Sequence, residues 1–176
     1  QPPFDPDKIN GMFNTVDVGQ GEIREKYAEA DTYFNRVIGQ SLFEKIAGGG
    51  ETQEMKEFRK SYDATEWRFD LFRKACRDLK KEIGQANQLS EQGRFRITKR
   101  LSDSMADFFY TYSQYLTSVQ RFVLSCGQFD KDSSFGTAAF AVMNKAMETF
   151  TVAAVVSGAG SLLTAGAREG VKAISL

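Results

Sequence analysis

The strongest constraint on this chain is a repeat. Met55, Phe58, Tyr62, Thr65, Phe69, Phe72, Cys76, Leu79, Ile83 and Ala86 stand alternately three and four residues apart. An α-helix turns once per 3.6 residues, so this spacing draws one apolar seam along a single helix and suits partner helices rather than a sheet. A helix from about Thr52 to Ser90 measures roughly 60 Å. The repeat restarts after Gly93, with Ile97, Leu101, Met105, Phe108, Tyr112, Tyr115, Val119, Phe122 and Cys126 on one seam. Glycine is the natural residue for a turn between two such runs, and the pair predicts an antiparallel helical hairpin. Aromatic residues at these positions (Phe58, Tyr62, Phe69, Phe72, Phe108, Tyr112, Tyr115, Phe122) are expected to form a core rather than line a ligand site.

Upstream, Asp5 is an N-cap candidate and Pro6 suits a first helical position. Ile9, Met12, Phe13 and Val16 keep helical spacing, and Gly19 and Gly21 are expected to end a short amphipathic helix there. A second helix is expected from Glu22 to Ala47, with Ile23, Tyr27, Ala30, Phe34, Val37, Ile38, Leu42 and Ile46 on its apolar face. Gly48, Gly49 and Gly50 stop it, because three successive glycines hold a helix poorly. Past the loop FDKDSS the composition changes. From Phe135 to Ala167 only Lys145 and Glu148 are charged, and alanine and glycine dominate.

The expected fold is therefore all-α: an elongated up-and-down bundle of about four long helices, with a long antiparallel aromatic-rich hairpin and an Ala/Gly-rich C-terminal helix. Residues 1–176 form a single helical-bundle domain in this reading. Residues 1–21 supply a short helix and linker, 22–132 the amphipathic helices, and 133–176 the hydrophobic segment.

Composition narrows the function more by exclusion than by assignment. The chain has no histidine, which removes His-based triads, the commonest general base and the commonest transition-metal ligand. Its 23 basic and 23 acidic residues cancel, so no overall field draws nucleic acid. Cys76 and Cys126 could pair in principle, but an antiparallel hairpin about Gly93 sets them roughly 25 Å apart, whereas a disulfide needs Cα atoms within about 7 Å. Both are expected as buried free thiols. Carboxylates one turn apart, Glu25 with Glu29 and Asp103 with Asp107, are expected on exposed helix faces. Gly158 and Gly160 imitate part of a nucleotide loop, but Leu163 stands where the third glycine belongs and no Gly-Lys-Ser/Thr follows. No catalytic residue, metal site or cofactor is expected, and the chain is read as non-enzymatic.

Two features remain for function. The stretch GRFRITKR carries Arg94, Arg96, Lys99 and Arg100 with no acid among them. It is a candidate for headgroup or anion binding, with a solvated turn as the plain alternative. The uncharged run Thr149–Ala167 approaches the roughly 20 residues that cross a bilayer. Its strongly apolar members, Phe150, Val152, Val155, Val156, Leu162 and Leu163, are the candidate membrane-binding residues. They supply roughly −2 to −4 kcal/mol toward insertion, too little for a secure permanent span. Ala153, Ser157, Ser161 and Ala165 recur every four positions as a helix-packing stripe that permits close approach, in lipid or inside a soluble bundle.

Long amphipathic helices around a small-residue hydrophobic element form a layout that resembles α-helical pore-forming toxins. The resemblance is architectural and assigns no residue a role. It implies a membrane-interacting protein of pore-forming or lipid-binding type, whose C-terminal segment inserts conditionally. The alternative is a structural or adhesion-type module that docks onto partner helices in an assembly. Expected partners are membrane lipid or partner helices, with no nucleic acid. Heptads close equally well within a chain or between copies, so a homo-oligomer is compatible. The N-terminal Gln1 is consistent with secretion, and a secreted or membrane-associated location is favoured. The absence of an N-x-Ser/Thr sequon adds no support for it.

Overall fold

The computed structural model describes residues 4–37, 52–94 and 96–127. These residues are all-helical, with no strand among them. Helix α1 spans Pro6–Val37, α2 spans Gln53–Glu91 and α3 spans Lys99–Gly127. The expected Gly48–Gly50 hinge and the C-terminal helix lie outside the described residues.

Each helix begins at a side-chain cap. Asp5 Oδ1 accepts from the Asp7 N–H at 2.9 Å, just before Pro6. Thr52 Oγ1 accepts from the Met55 N–H at 3.2 Å, and Thr98 Oγ1 from the Leu101 N–H at 3.1 Å. Each bond satisfies one amide that the first helical turn leaves without a partner.

The expectation of two helices divided at Gly19 and Gly21 is corrected. Helix α1 runs through both glycines for 32 residues, and neither has a positive φ. A glycine inside a helix costs about 1 kcal/mol relative to alanine. The apolar stripe continues in phase across the pair, through Val16, Ile23, Tyr27, Ala30 and Phe34, all buried. Burying each large side chain of that stripe yields about 1.5–3 kcal/mol, so the summed gain outweighs two glycines.

The predicted seam of α2 is buried from Met55 to Ala86, with Tyr62 half-buried. Its aromatic rings meet those of α3. Phe58 lies 5.1 Å from Phe122 between centroids, Phe69 6.3 Å from Tyr115, and Phe72 5.4 Å from Phe108. Partner numbers fall as α2 numbers rise, so α2 and α3 run antiparallel. Helix α1 is antiparallel to α2 by the same criterion. Phe13 stacks on Phe69 at 6.1 Å, while Tyr27, farther along α1, stacks on Tyr62 at 3.8 Å. At the far end Asn87 clamps the chain ahead of α1: its Nδ2 donates to the Phe4 carbonyl at 2.9 Å and its Oδ1 accepts the Phe4 N–H at 3.4 Å.

The three helices therefore run up, down and up, with α2 in the middle. The start of α1 and the α2–α3 turn share one end. The end of α1, the start of α2 and Gly127 share the other.

Candidate functional site

The described residues hold one polar centre that joins all three helices, built around Gln20. Residue 20 falls where the α1 stripe continues between Val16 and Ile23, so a fully buried amide stands in an apolar row. Its Nε2 donates to Thr65 Oγ1 at 3.0 Å and to Glu66 Oε1 at 3.1 Å. Its Oε1 accepts the Tyr115 hydroxyl of α3 at 2.8 Å. Glu66 also accepts the Tyr62 hydroxyl at 2.9 Å. Arg24 binds the same carboxylate in two-pronged fashion, Nε to Oε1 at 2.7 Å and Nη2 to Oε2 at 3.0 Å. The Arg24 guanidinium also lies 5.5 Å from the Phe69 ring centre.

These contacts set the titration of the groups. Burial raises the Glu66 carboxyl, but hydrogen bonds from Arg24, Gln20 and Tyr62 outweigh it and hold the group below its ordinary value. The bond to Glu66 raises Arg24. Burial lifts Tyr115 and Tyr62 well above a free phenol, so both hydroxyls stay protonated and donate. Both polar atoms of the Gln20 amide are thus used, in three hydrogen bonds, and the carboxylate receives four donated bonds. A saturated network of this kind fixes helix register; it offers no activated nucleophile or base to a substrate.

The sequence reading missed this centre. Its signal was Gln20 itself, a polar residue at a stripe position, with Tyr62 and Glu66 one turn apart on α2. The carboxylates expected at the surface, Glu25, Glu29, Asp103 and Asp107, are exposed. Cys76 and Cys126 are free, buried thiols, and burial pushes each up to about 12. A thiol held that far above neutrality is a poor nucleophile.

The basic turn is well defined at its start. Gly93 adopts φ +68°, its N–H bonds the Ser90 carbonyl at 3.0 Å, and the Arg94 N–H bonds the Leu89 carbonyl at 2.8 Å. This is the Schellman closure of a helix C-terminus, and it requires the left-handed backbone that glycine adopts freely. Arg94, Arg96, Lys99 and Arg100 are all exposed around the turn. Arg94 donates to the Gln92 side chain. Among the described residues none of the four has an ion pair within 4.0 Å. The Phe4–Asn87 clamp, however, brings Asp5 and Asp7 to this same end, and Glu91 and Asp103 flank the turn. The local excess of positive charge is therefore smaller than the stretch 94–100 alone suggests.

The remaining candidate residues lie outside the described residues: Phe150, Val152, Val155, Val156, Leu162 and Leu163, with the stripe Ala153, Ser157, Ser161 and Ala165. Among the described residues no helix is long and apolar enough to cross a membrane, and no group of acidic or cysteine side chains could hold a metal. No known protein family, curated protein or solved structure matches the chain.

Proposed function

We propose that this is a non-enzymatic helical-bundle protein that acts at membranes, with α1–α3 as its rigid body and Thr149–Ala167 as the conditionally inserting element. In this reading the C-terminal segment forms a fourth helix of the bundle in solution and leaves it on meeting lipid. The supporting observation is the internal pairing of the aromatic seams. Phe58, Phe69 and Phe72 are matched with Phe122, Tyr115 and Phe108, so the rings of the hairpin's seam are spent on one another. The longest uncharged stretch available for lipid is the run beyond α3, beside the scattered exposed Trp67, Phe109, Tyr110 and Leu124.

Topology adds a geometric condition. The chain leaves α3 at Gly127, at the end opposite the basic turn, and α3 with its 29 residues is about 43 Å long. Residues 128–148 reach about 30 Å as a helix and about 70 Å fully extended. The start of the run, Thr149, can thus reach the Arg94–Arg100 end only if this connection is largely unwound. Insertion led by the segment, with headgroup contact at the turn as a weaker second term, fits the local charge balance better.

Dye leakage and co-sedimentation with neutral and anionic vesicles at two salt concentrations test the reading. Binding with leakage, abolished by Ser157→Asp, is the expected result. Absence of binding to every vesicle overturns it and leaves the assembly module, whose partner would then be a protein.

A further inference from the structure

Helix α3 carries a second stripe, opposite the one it buries. Asp103, Asp107 and Tyr110, then Gln114 and Thr117, then Arg121 and Leu124 stand alternately four and three apart. That spacing suits a helix that pairs along its length, and it lies on the face turned away from Phe108, Tyr115 and Phe122. Every member is exposed except Gln114, which is half-buried. Two large side chains project from this face, Tyr110 at 59% and Leu124 at 55% exposure. Toward the start of α3 the face has an open hollow of about 440 Å³, lined by Asp103, Ser104, Ala106, Asp107 and Tyr110. Asp103, Ala106, Asp107 and Tyr110 have the spacing of a hole that takes one knob from a facing helix. Charge is divided along the stripe, with Asp103 and Asp107 in its first half and Arg121 in its second. Among the described residues none of these three has an ion pair within 4.0 Å.

We infer that this face is a self-association surface, on which a second copy of the chain lays its own α3 antiparallel. The charges choose the direction. A parallel pair would set Asp103 and Asp107 against their own counterparts, whereas an antiparallel pair sets the acidic half of each copy against the basic half of the other. The hollow fixes the register. With the two-fold axis midway between Gln114 and Thr117, Leu124 of each copy faces Asp107 of the other and enters the hollow as its knob. Arg121 then faces Tyr110 of the other copy, with Asp107 roughly 4.5 Å further along the axis, within reach of the guanidinium. A slide of one heptad would set Leu124 against Arg100 instead. Each contact occurs twice, because the two copies use the same surface. The middle of the stripe is polar and one helix face is a small interface, so the dimer is weak, with a Kd between micromolar and millimolar. The surface is separate from the seam that holds α1–α3 together, and the inference does not rest on the membrane reading.

Sedimentation equilibrium of the full chain in lipid-free buffer tests it, with a concentration series to about 1 mM and salt at about 50 mM, where surface charges are little screened. The mass is expected to rise toward that of two chains. Arg121→Asp meets the partner's Asp107 with a like charge, and Asp107→Arg does the same to the partner's Arg121. Each variant alone is expected to associate roughly tenfold more weakly or worse. An equal mixture of the two restores opposite charges at both copies of the contact and should dimerise about as tightly as the wild-type chain. Leu124→Ala removes the knob and should weaken association by roughly tenfold. Asp107, Arg121 and Leu124 are exposed, so the helical circular dichroism and melting of the dilute variants should match wild type. A wild-type chain that stays monomeric throughout the series overturns the inference. A dimer that survives Arg121→Asp overturns this face, and a mixture no tighter than the single variants overturns the antiparallel pairing. Vesicle leakage is a separate readout: its absence removes insertion and leaves the dimer standing, and leakage from a chain that stays monomeric does the reverse.

Discussion

A single buried amide ties the three helices together at Gln20, and the consequences of losing it follow from what it leaves behind. Gln20→Ala takes from the buried Tyr115 hydroxyl the amide oxygen it donates to, and removes one donor each from Glu66 and Thr65. An unsatisfied buried polar group costs about 1–3 kcal/mol, to which a small cavity adds. Denaturant unfolding should show a loss of about 2–4 kcal/mol, with Gln20→Glu worse because a carboxylate would face Glu66. The pH dependence has a definite sign at each end. Glu66 has a lowered value in the folded chain, so its contribution is present above its ordinary value near 4.5 and is lost as the pH falls through the folded value. Glu66→Gln should flatten the acid limb of a stability-against-pH curve. Cys76 and Cys126 act at the other end. Their folded values near 12 lie above the ordinary 9.0, so their contribution is complete below pH 9 and is lost as the pH rises toward 12. Cys76→Ala with Cys126→Ala should shift the alkaline unfolding midpoint upward relative to each variant's own stability at pH 7.

At the scale of the element, glycine means different things at different places, and two substitutions separate them. Gly21 sits inside α1, where an added Cβ meets nothing within 4 Å. Gly21→Ala should stabilise the protein by about 0.5–1 kcal/mol, a rise in melting temperature of about 1–4 °C. Gly93 has φ +68° and also has open space around it, so only backbone strain opposes a side chain there. Gly93→Ala should cost about 1–2 kcal/mol. If α1 were two helices broken at Gly21, Gly21→Ala would destabilise instead, so thermal denaturation decides the point directly. The contrast also explains what could be read in advance. The heptads of α2 and α3 were legible because a long apolar period leaves little choice of partner face. Gly19 and Gly21 signal a local stop, but the stripe that continues from Val16 to Ile23 carries the helix through them. Gln20 escaped notice for a related reason: period analysis scores apolar positions, and a buried polar one shows as a gap.

For the whole molecule the decisive property is direction, since the up-down-up order sets which ends lie together. Asp5 and Gln92 flank the same end through the Phe4–Asn87 clamp and the Gly93 turn. Thr52 lies at the other, separated from Gln92 by the 39 residues of α2, about 58 Å. Spin labels at Asp5→Cys and Gln92→Cys, with Cys76→Ala and Cys126→Ala to remove the native thiols, should therefore report roughly 15–30 Å, allowing for label length. Labels at Thr52→Cys and Gln92→Cys should report roughly 55–65 Å. A long distance for the first pair would reverse α1 on the hairpin and break the stacking of Phe13 on Phe69 and of Tyr27 on Tyr62, which lie toward opposite halves of α1. The same reversal would bring the end of α1 to the basic turn and set its start beside Gly127 and the start of α2. The measurement thus fixes the frame on which the membrane reading depends: the chain leaves α3 at the end where α1 finishes and α2 begins, and the basic turn lies at the other.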